Sequence, residues 1–171
     1  LYPELDEAIM AALSNPVNED PKFLIGGSTV MEILKQYKIF YYRDMEAPEA
    51  QNHNSINIMN AGDTLRADQK DFDGSPRQVG YVLVIIVPNL QYLDTLKAMR
   101  DCTKAIKIEL ETNPTFTPWS EFMELGDVRP AYDDRGVFKE QQMQLLFNIY
   151  ENYYEDDDSE ITQILIRGDL S

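Results

Sequence analysis

Leu5, Ile9, Ala12 and Leu13 recur on one face at helical spacing, which predicts a short amphipathic helix over residues 3–14. Pro3 suits its first turn, and Asn15-Pro16 stops it. Gly26-Gly27-Ser28 offers a break and an N-cap before a second helical stripe of Val30, Ile33, Leu34 and Tyr37. Ile39 to Arg43 is β-branched and aromatic and reads as a strand. Residues 44–78 are mostly polar. Their one apolar alternation, Ile56 and Ile58, predicts a strand over Asn54–Asn60, and Asp63–Gln78 is then a long charged loop or hairpin tip.

Val79 to Val87 is the strongest strand. Tyr81, Leu83, Ile85 and Val87 alternate with Val82, Val84 and Ile86, so both faces are apolar, which predicts a central strand covered on both sides. A long helix follows over residues 90–112. Leu93, Leu96, Met99, Cys102, Ile106 and Leu110 take one face; Lys97, Arg100, Lys104, Lys107, Glu109 and Glu111 take the other sectors. Trp119 to Leu125 reads as a strand, Asp133-Asp134-Arg135-Gly136 as a hairpin tip, and Phe138 to Tyr150 as a long strand. On that strand Met143, Leu145, Phe147 and Ile149 share a face opposite Gln142, Gln144 and Asn148. Tyr150 to Glu160 holds six acidic residues, three tyrosines and no base; Ile161 to Arg167 is a last apolar piece of either type.

The pattern gives an α/β (α+β) domain: a mixed or antiparallel sheet of four or five strands, packed by the long helix and the leading helices. Residues 1–150 form it, with the long loop at 44–78, and residues 151–171 form an acidic C-terminal arm. A length of 171 residues and 43% hydrophobic content agree with one core that needs no disulfide or metal staple.

Charge narrows the functions. Thirty acidic residues stand against fifteen basic ones, a net of −15. Gripping phosphate backbones or an anionic membrane surface needs clustered Lys and Arg instead. The longest apolar run, Tyr81 to Val87, is far short of the ~20 residues of a membrane span. The opening Leu1-Tyr2-Pro3-Glu4 shows no basic or apolar signal region and no Met, as expected where the true N-terminus is trimmed or left out. The expected setting is a reducing cytoplasm or a particle assembled there.

The candidate chemistry is sparse. The one cysteine, Cys102, sits mid-helix on the apolar stripe and reads as core packing. The one histidine, His53, lies in a polar loop, and no Ser or Cys is marked as its partner. Asp71-Phe72-Asp73-Gly74 resembles the middle of a calcium loop, but the pattern's first position falls on Gln69 and its twelfth, where a bidentate Glu belongs, on Gly80. Asp133-Asp134 and Asp156-Asp157-Asp158 are paired carboxylates in polar stretches that stay in water, whereas a catalytic carboxylate needs a partly desolvated site. Gly26-Gly27-Ser28 matches no nucleotide-binding pattern. Phe116, Trp119 and Phe122 read as closing one end of the core. No catalytic residue, cofactor or metal is expected.

The order of elements from residue 30 onward resembles the tail-terminator and tail-completion proteins of tailed bacteriophages, small proteins that form a ring between head and tail. The resemblance rests on a strand at Ile39-Phe40-Tyr41-Tyr42, a second at Ser55-Ile56-Asn57-Ile58, a polar hairpin at Asp63–Gln78 and an apolar strand at Val79–Val87. A crossing helix at Leu90–Glu111 and a strand pair at Glu121–Val128 and Gly136–Tyr150 complete it. It is a likeness of pattern rather than of a motif. An extra helix at the front and the acidic extension after Tyr150 depart from the family, and would suit arms that tie one ring of a short-tailed phage to the next.

The resemblance implies a structural virion protein: a homo-oligomeric ring in the head–tail neck, assembled in the host cytoplasm. It would contact neighbouring neck, portal or tail proteins, and its acidic lumen would let DNA pass without holding it. Subunit contacts are expected at Leu65, Arg66 and Phe72 of the long loop and at Ile161, Ile164, Leu165 and Ile166 of the arm. The alternatives are an acidic DNA mimic or a general protein-interaction module, and then a carboxylate-dependent hydrolase.

Overall fold

The structure is a computed structural model that describes residues 3–41, 53–65, 74–88, 92–132 and 138–152. The elements run α1 (Pro3–Ser14), a 3-10 turn (Pro21–Phe23), α2 (Val30–Leu34), β1 (Lys38–Tyr41), β2 (Ser55–Leu65) and β3 (Gly74–Ile86). Then come α3 (Tyr92–Thr112), α4 (Thr117–Ser120), β4 (Met123–Tyr132) and β5 (Phe138–Asn152). The five strands form one sheet in the order β1-β2-β3-β5-β4. β1 runs parallel to β2 and the other pairs are antiparallel, so the sheet is mixed and the class is α+β, as the pattern predicts.

One core lies between the sheet and the helices. Ile56, Ile58, Val79, Tyr81, Leu83, Ile85, Met143, Leu145 and Phe147 supply the sheet's side. Leu5, Ile9 and Leu13 of α1, Val30, Ile33 and Leu34 of α2, and Met99, Cys102, Ala105, Ile106 and Leu110 of α3 supply the other. Tyr81 and Phe116 both meet the Phe147 ring edge-on, at 5.8 and 6.1 Å between centroids, a geometry that suits the ring quadrupoles. The aromatic end-closure is therefore Phe116; Trp119 packs beside the core and Phe122 is exposed.

β3 is central, as its pattern predicts; among the described residues the helices pack on one of its faces, and on the other Val84 and its partner Asn57 are also buried. All three longer helices bury their side chains on one face. On the other face Val82 and Ile86 are half-buried and Val84 is buried, beside Gln142 and Gln144 of β5. Gln and Asn on the neighbouring strand make this second face partly polar, which the single-strand pattern of β3 does not register.

The strands also run further than hydropathy predicts. Asp63, Thr64 and Leu65 pair with Val79, Gln78 and Arg77, so most of the expected loop flanks is ladder and only residues 66–73 lie outside the description. Main-chain hydrogen bonds hold such a ladder whatever its side chains. A bulge at Ala61 shifts the register between Asn60 and Gly62; Gly62 has φ +93°, and its N–H donates to the Asn60 side chain at 2.7 Å.

Two further expectations are corrected. Trp119 sits in α4, not in a strand, because Pro118 occupies the opening of a helical turn and β4 begins only at Met123. The N-cap of α2 is Thr29, not the Gly-Gly-Ser run. Its hydroxyl accepts from Glu32 N–H while Glu32 accepts from Thr29 N–H, a reciprocal capping box. Gly26 and Gly27, with φ +58° and +87°, instead turn the chain between Ile25 and Ser28.

Candidate functional site

The exposed features converge on β4. It is an edge strand of ten residues, and among the described residues no strand pairs with its outer side. The pairing of Leu125 with Leu145 and Val128 with Met143 places both on the core side of the sheet. They are nevertheless 38% and 40% exposed, because the helices cover the middle of the sheet and stop short of its edge. Tyr132, at the far end of the strand, and Phe122, just before it, are exposed as well. A register shift between Leu125 and Val128 and a proline at Pro130 interrupt the edge, devices that limit indiscriminate pairing without covering it.

Between this edge and α3 lies an open groove of about 500 Å³, lined by Leu96, Arg100, Thr103, Lys104, Val128, Pro130, Tyr132 and Gln141. Its deep polar groups are already committed. The Gln141 amide donates to Thr103 Oγ1 at 2.6 Å and to the Met99 carbonyl at 3.3 Å, and the Thr103 hydroxyl donates to the same carbonyl at 2.9 Å. What remains for a partner is an apolar floor and two cations.

Those cations belong to a stripe. Lys97, Arg100, Lys104 and Lys107 recur at spacings of three and four on α3, so they share one side of it. Lys107 bonds Glu111 at 3.0 Å, whereas Lys97, Arg100 and Lys104 are exposed and, among the described residues, make no ion pair. A chain with twice as many acids as bases thus carries, beside its exposed apolar edge, positive charge that no described acid pairs with.

Of the expected contact residues, Leu65 closes β2 opposite Arg77. Arg66, Phe72, Ile161, Ile164, Leu165 and Ile166 lie outside the described residues, as do Gln69, Asp71, Asp73, Asp133, Asp134 and Asp156 to Asp158. Gly80 is buried in β3. His53 is exposed just before β2. Cys102 is fully buried; burial drives its thiol well above the ordinary range, against a lowering hydrogen bond from Tyr37. A buried neutral thiol is a poor nucleophile. Among the described residues, no three His, Cys, Asp or Glu side chains come together to hold a metal. None of the described helices is long and apolar enough to cross a membrane.

Two buried polar knots escape the sequence reading. Glu109, expected on the solvent side of α3, has no exposure at all. Its carboxylate accepts from Val17 N–H at 3.0 Å, Asn18 N–H at 3.2 Å and the Asn113 amide at 2.8 Å, tying the turn after α1 to α3. The Tyr81 hydroxyl donates to the Asp6 carboxylate, fastening α1 to the central strand. Burial first, and that carboxylate second, push the Tyr81 phenol far above its usual range. Both knots are structural: neither opens onto the groove. No protein-family model matches this chain, and no curated protein does.

Proposed function

We propose that the chain is a structural subunit of an oligomeric ring in the head–tail neck of a tailed bacteriophage, joined to its neighbours through the β4 edge and the α3–β4 groove. The observation that carries this reading is the exposed apolar row on a ten-residue edge strand whose outer side no strand pairs with among the described residues. An edge of that kind is a template for another chain, and a chain that leaves it open as a monomer risks aggregation. The order of elements along the chain, on which the resemblance rests, and a mixed five-stranded sheet packed by helices support the reading. The net charge supports the rest: −15 per subunit, repeated around a ring, repels phosphate and lets DNA slide through without specific binding. On this reading the protein works by assembly, with neck, portal or tail proteins above and below, and has no reaction of its own.

The test is the mass of the purified chain in solution across a concentration series, followed by microscopy of whatever forms. Closed rings of uniform subunit number support the proposal. A chain that stays monomeric at every concentration overturns it.

A further inference from the structure

The α3–β4 groove has a chemistry that specifies its occupant. It combines two cations, Arg100 and Lys104, which make no ion pair among the described residues, with an apolar floor of Leu96, Val128, Pro130 and Tyr132. The partner it fits is a segment with carboxylates followed by aliphatic side chains. The chain contains one such segment. Residues 153–171 carry Glu155, Asp156, Asp157, Asp158 and Glu160, then Ile161, Ile164, Leu165 and Ile166.

Chain length decides whose segment it is. The groove lies at the Gln141 end of β5, and β5 continues to Asn152. At ~3.3 Å per residue, those eleven residues carry the chain about 35 Å away from the groove. The run of four acids from Glu155 to Asp158 lies only three to six residues beyond Asn152, so fully extended it turns back at most ~21 Å, while Glu160, eight residues beyond, turns back at most ~28 Å. The four-acid run therefore falls short of Arg100 and Lys104 of its own subunit, and Glu160 alone comes near them. We infer that the groove receives the acidic C-terminal segment of a second copy of this chain, with the carboxylates on Arg100 and Lys104 and the aliphatic run on the floor; this deepens, and rests on, the oligomeric reading above.

Such a contact joins two different surfaces, tail to groove, and is therefore heterologous. Each copy offers one tail and one groove, which is what a closed ring requires. Charge complementarity sets its register, and the apolar floor supplies burial where each isolated surface carries its own like charges.

The experiment uses the full-length chain and a fluorescent peptide of residues 153–171, with binding read by anisotropy and assembly by mass. The peptide binds the wild-type chain and competes with its assembly. The double variant Arg100→Glu, Lys104→Glu, both at exposed positions and checked for an unchanged melting curve, binds it about tenfold or more weakly. A peptide carrying Asp156→Lys and Asp157→Lys restores binding to that variant and loses it to wild type. A peptide that fails to bind, or binds both chains equally, overturns the docking. So does a duplex oligonucleotide that binds wild type and not the variant while the peptide binds neither, because the stripe then serves nucleic acid. Rings that persist unchanged in the double variant leave the ring reading standing and sink the docking. Peptide-competed association that yields open chains and no closed ring keeps the docking and sinks the neck ring.

Discussion

Glu109→Ala tests the buried knot that holds the turn after α1 against α3. The substitution removes the acceptor of three donors: Val17 N–H, Asn18 N–H and the Asn113 amide. Their losses are unequal. Val17 is half-exposed, so water reaches its N–H once the carboxylate is gone, while Asn18 and Asn113 are buried and stay unpaired. A buried donor left unsatisfied costs about 1–3 kcal/mol, and two that share one acceptor do not add fully, so the loss is about 3 kcal/mol. At ~2–4 °C per kcal/mol for a chain of this size, the melting temperature falls by about 6–12 °C. Glu109→Gln keeps one oxygen for Val17 and Asn113 but turns an NH2 toward Asn18 N–H, so it falls between the two. Glu111→Gln, which only breaks an exposed pair with Lys107, changes stability by less than ~1 kcal/mol. The assays are thermal and denaturant melts, with hydrogen exchange at Val17 and Asn18 as the local readout. A Glu109→Ala variant as stable as wild type, or exchange that rises everywhere except at 17 and 18, refutes the reasoning.

Ile106 has no exposure in the core under the sheet, so Ile106→Ala costs ~2–5 kcal/mol in a denaturant melt; a loss under about half a kcal/mol means that α3 does not pack as described. Burial raises the pKa of Tyr37 and Tyr81 far above the ordinary 10.0. The unfolded chain therefore ionises these phenols near pH 10 while the folded one does not, so their contribution is whole below about pH 10 and is lost as pH rises beyond it; tyrosinate absorbance that follows the unfolding signal confirms this, and two tyrosines that titrate normally in the folded protein refute it. The Cys102 thiol, raised by burial, resists a thiol reagent at pH 8 in the native protein and reacts at once in denaturant; prompt labelling of the folded chain contradicts its place in the core.

Periodicity made legible what burial on one side creates. The α1 and α3 stripes, the central strand and the alternation of β5 all follow from side chains sorted between the core and its opposite face. What it missed was held by other forces. Residues 61–65 and 74–78 are strand because their backbones pair, which hydropathy does not record. Leu93 was placed on the buried face of α3 but is 72% exposed, since it sits in the first turn, beyond the cover that the sheet gives to Met99 and Ile106. Glu109 was misplaced by its charge although its position was informative: Cys102, Ile106, Glu109 and Asn113 follow the helical repeat of the buried side, and all four are buried. Thr29-Val30-Met31-Glu32 carried a capping signature that the neighbouring glycines hid. The cations of α3 were visible at their spacing, but the groove beside them exists only once β4 is folded next to the helix, so no local pattern could announce it.

The two edges of the sheet are unequal, and that inequality bears on how copies join. The β1 edge offers four residues, the β4 edge ten. If β4 paired with β4 of a second copy about a two-fold axis, Arg100 and Lys104 of both copies would flank one seam, like charge beside like charge, and the assembly would close at two. If instead an acidic segment enters the groove, the same cations attract, and the contact passes from copy to copy. Neutralising them separates these geometries by sign. The double variant Arg100→Gln, Lys104→Gln relieves repulsion in the two-fold seam and tightens it, but removes attraction in the tail-to-groove contact and loosens it. Because the change also makes each subunit more acidic, the control is Lys22→Gln, Lys35→Gln, which removes the same charge at exposed positions on other elements. Relative to that control, the expected result is weaker association, read as a higher midpoint concentration in sedimentation. Stronger association, with a species that stops at the dimer, would establish the symmetric β4 seam and exclude the groove as the site of contact.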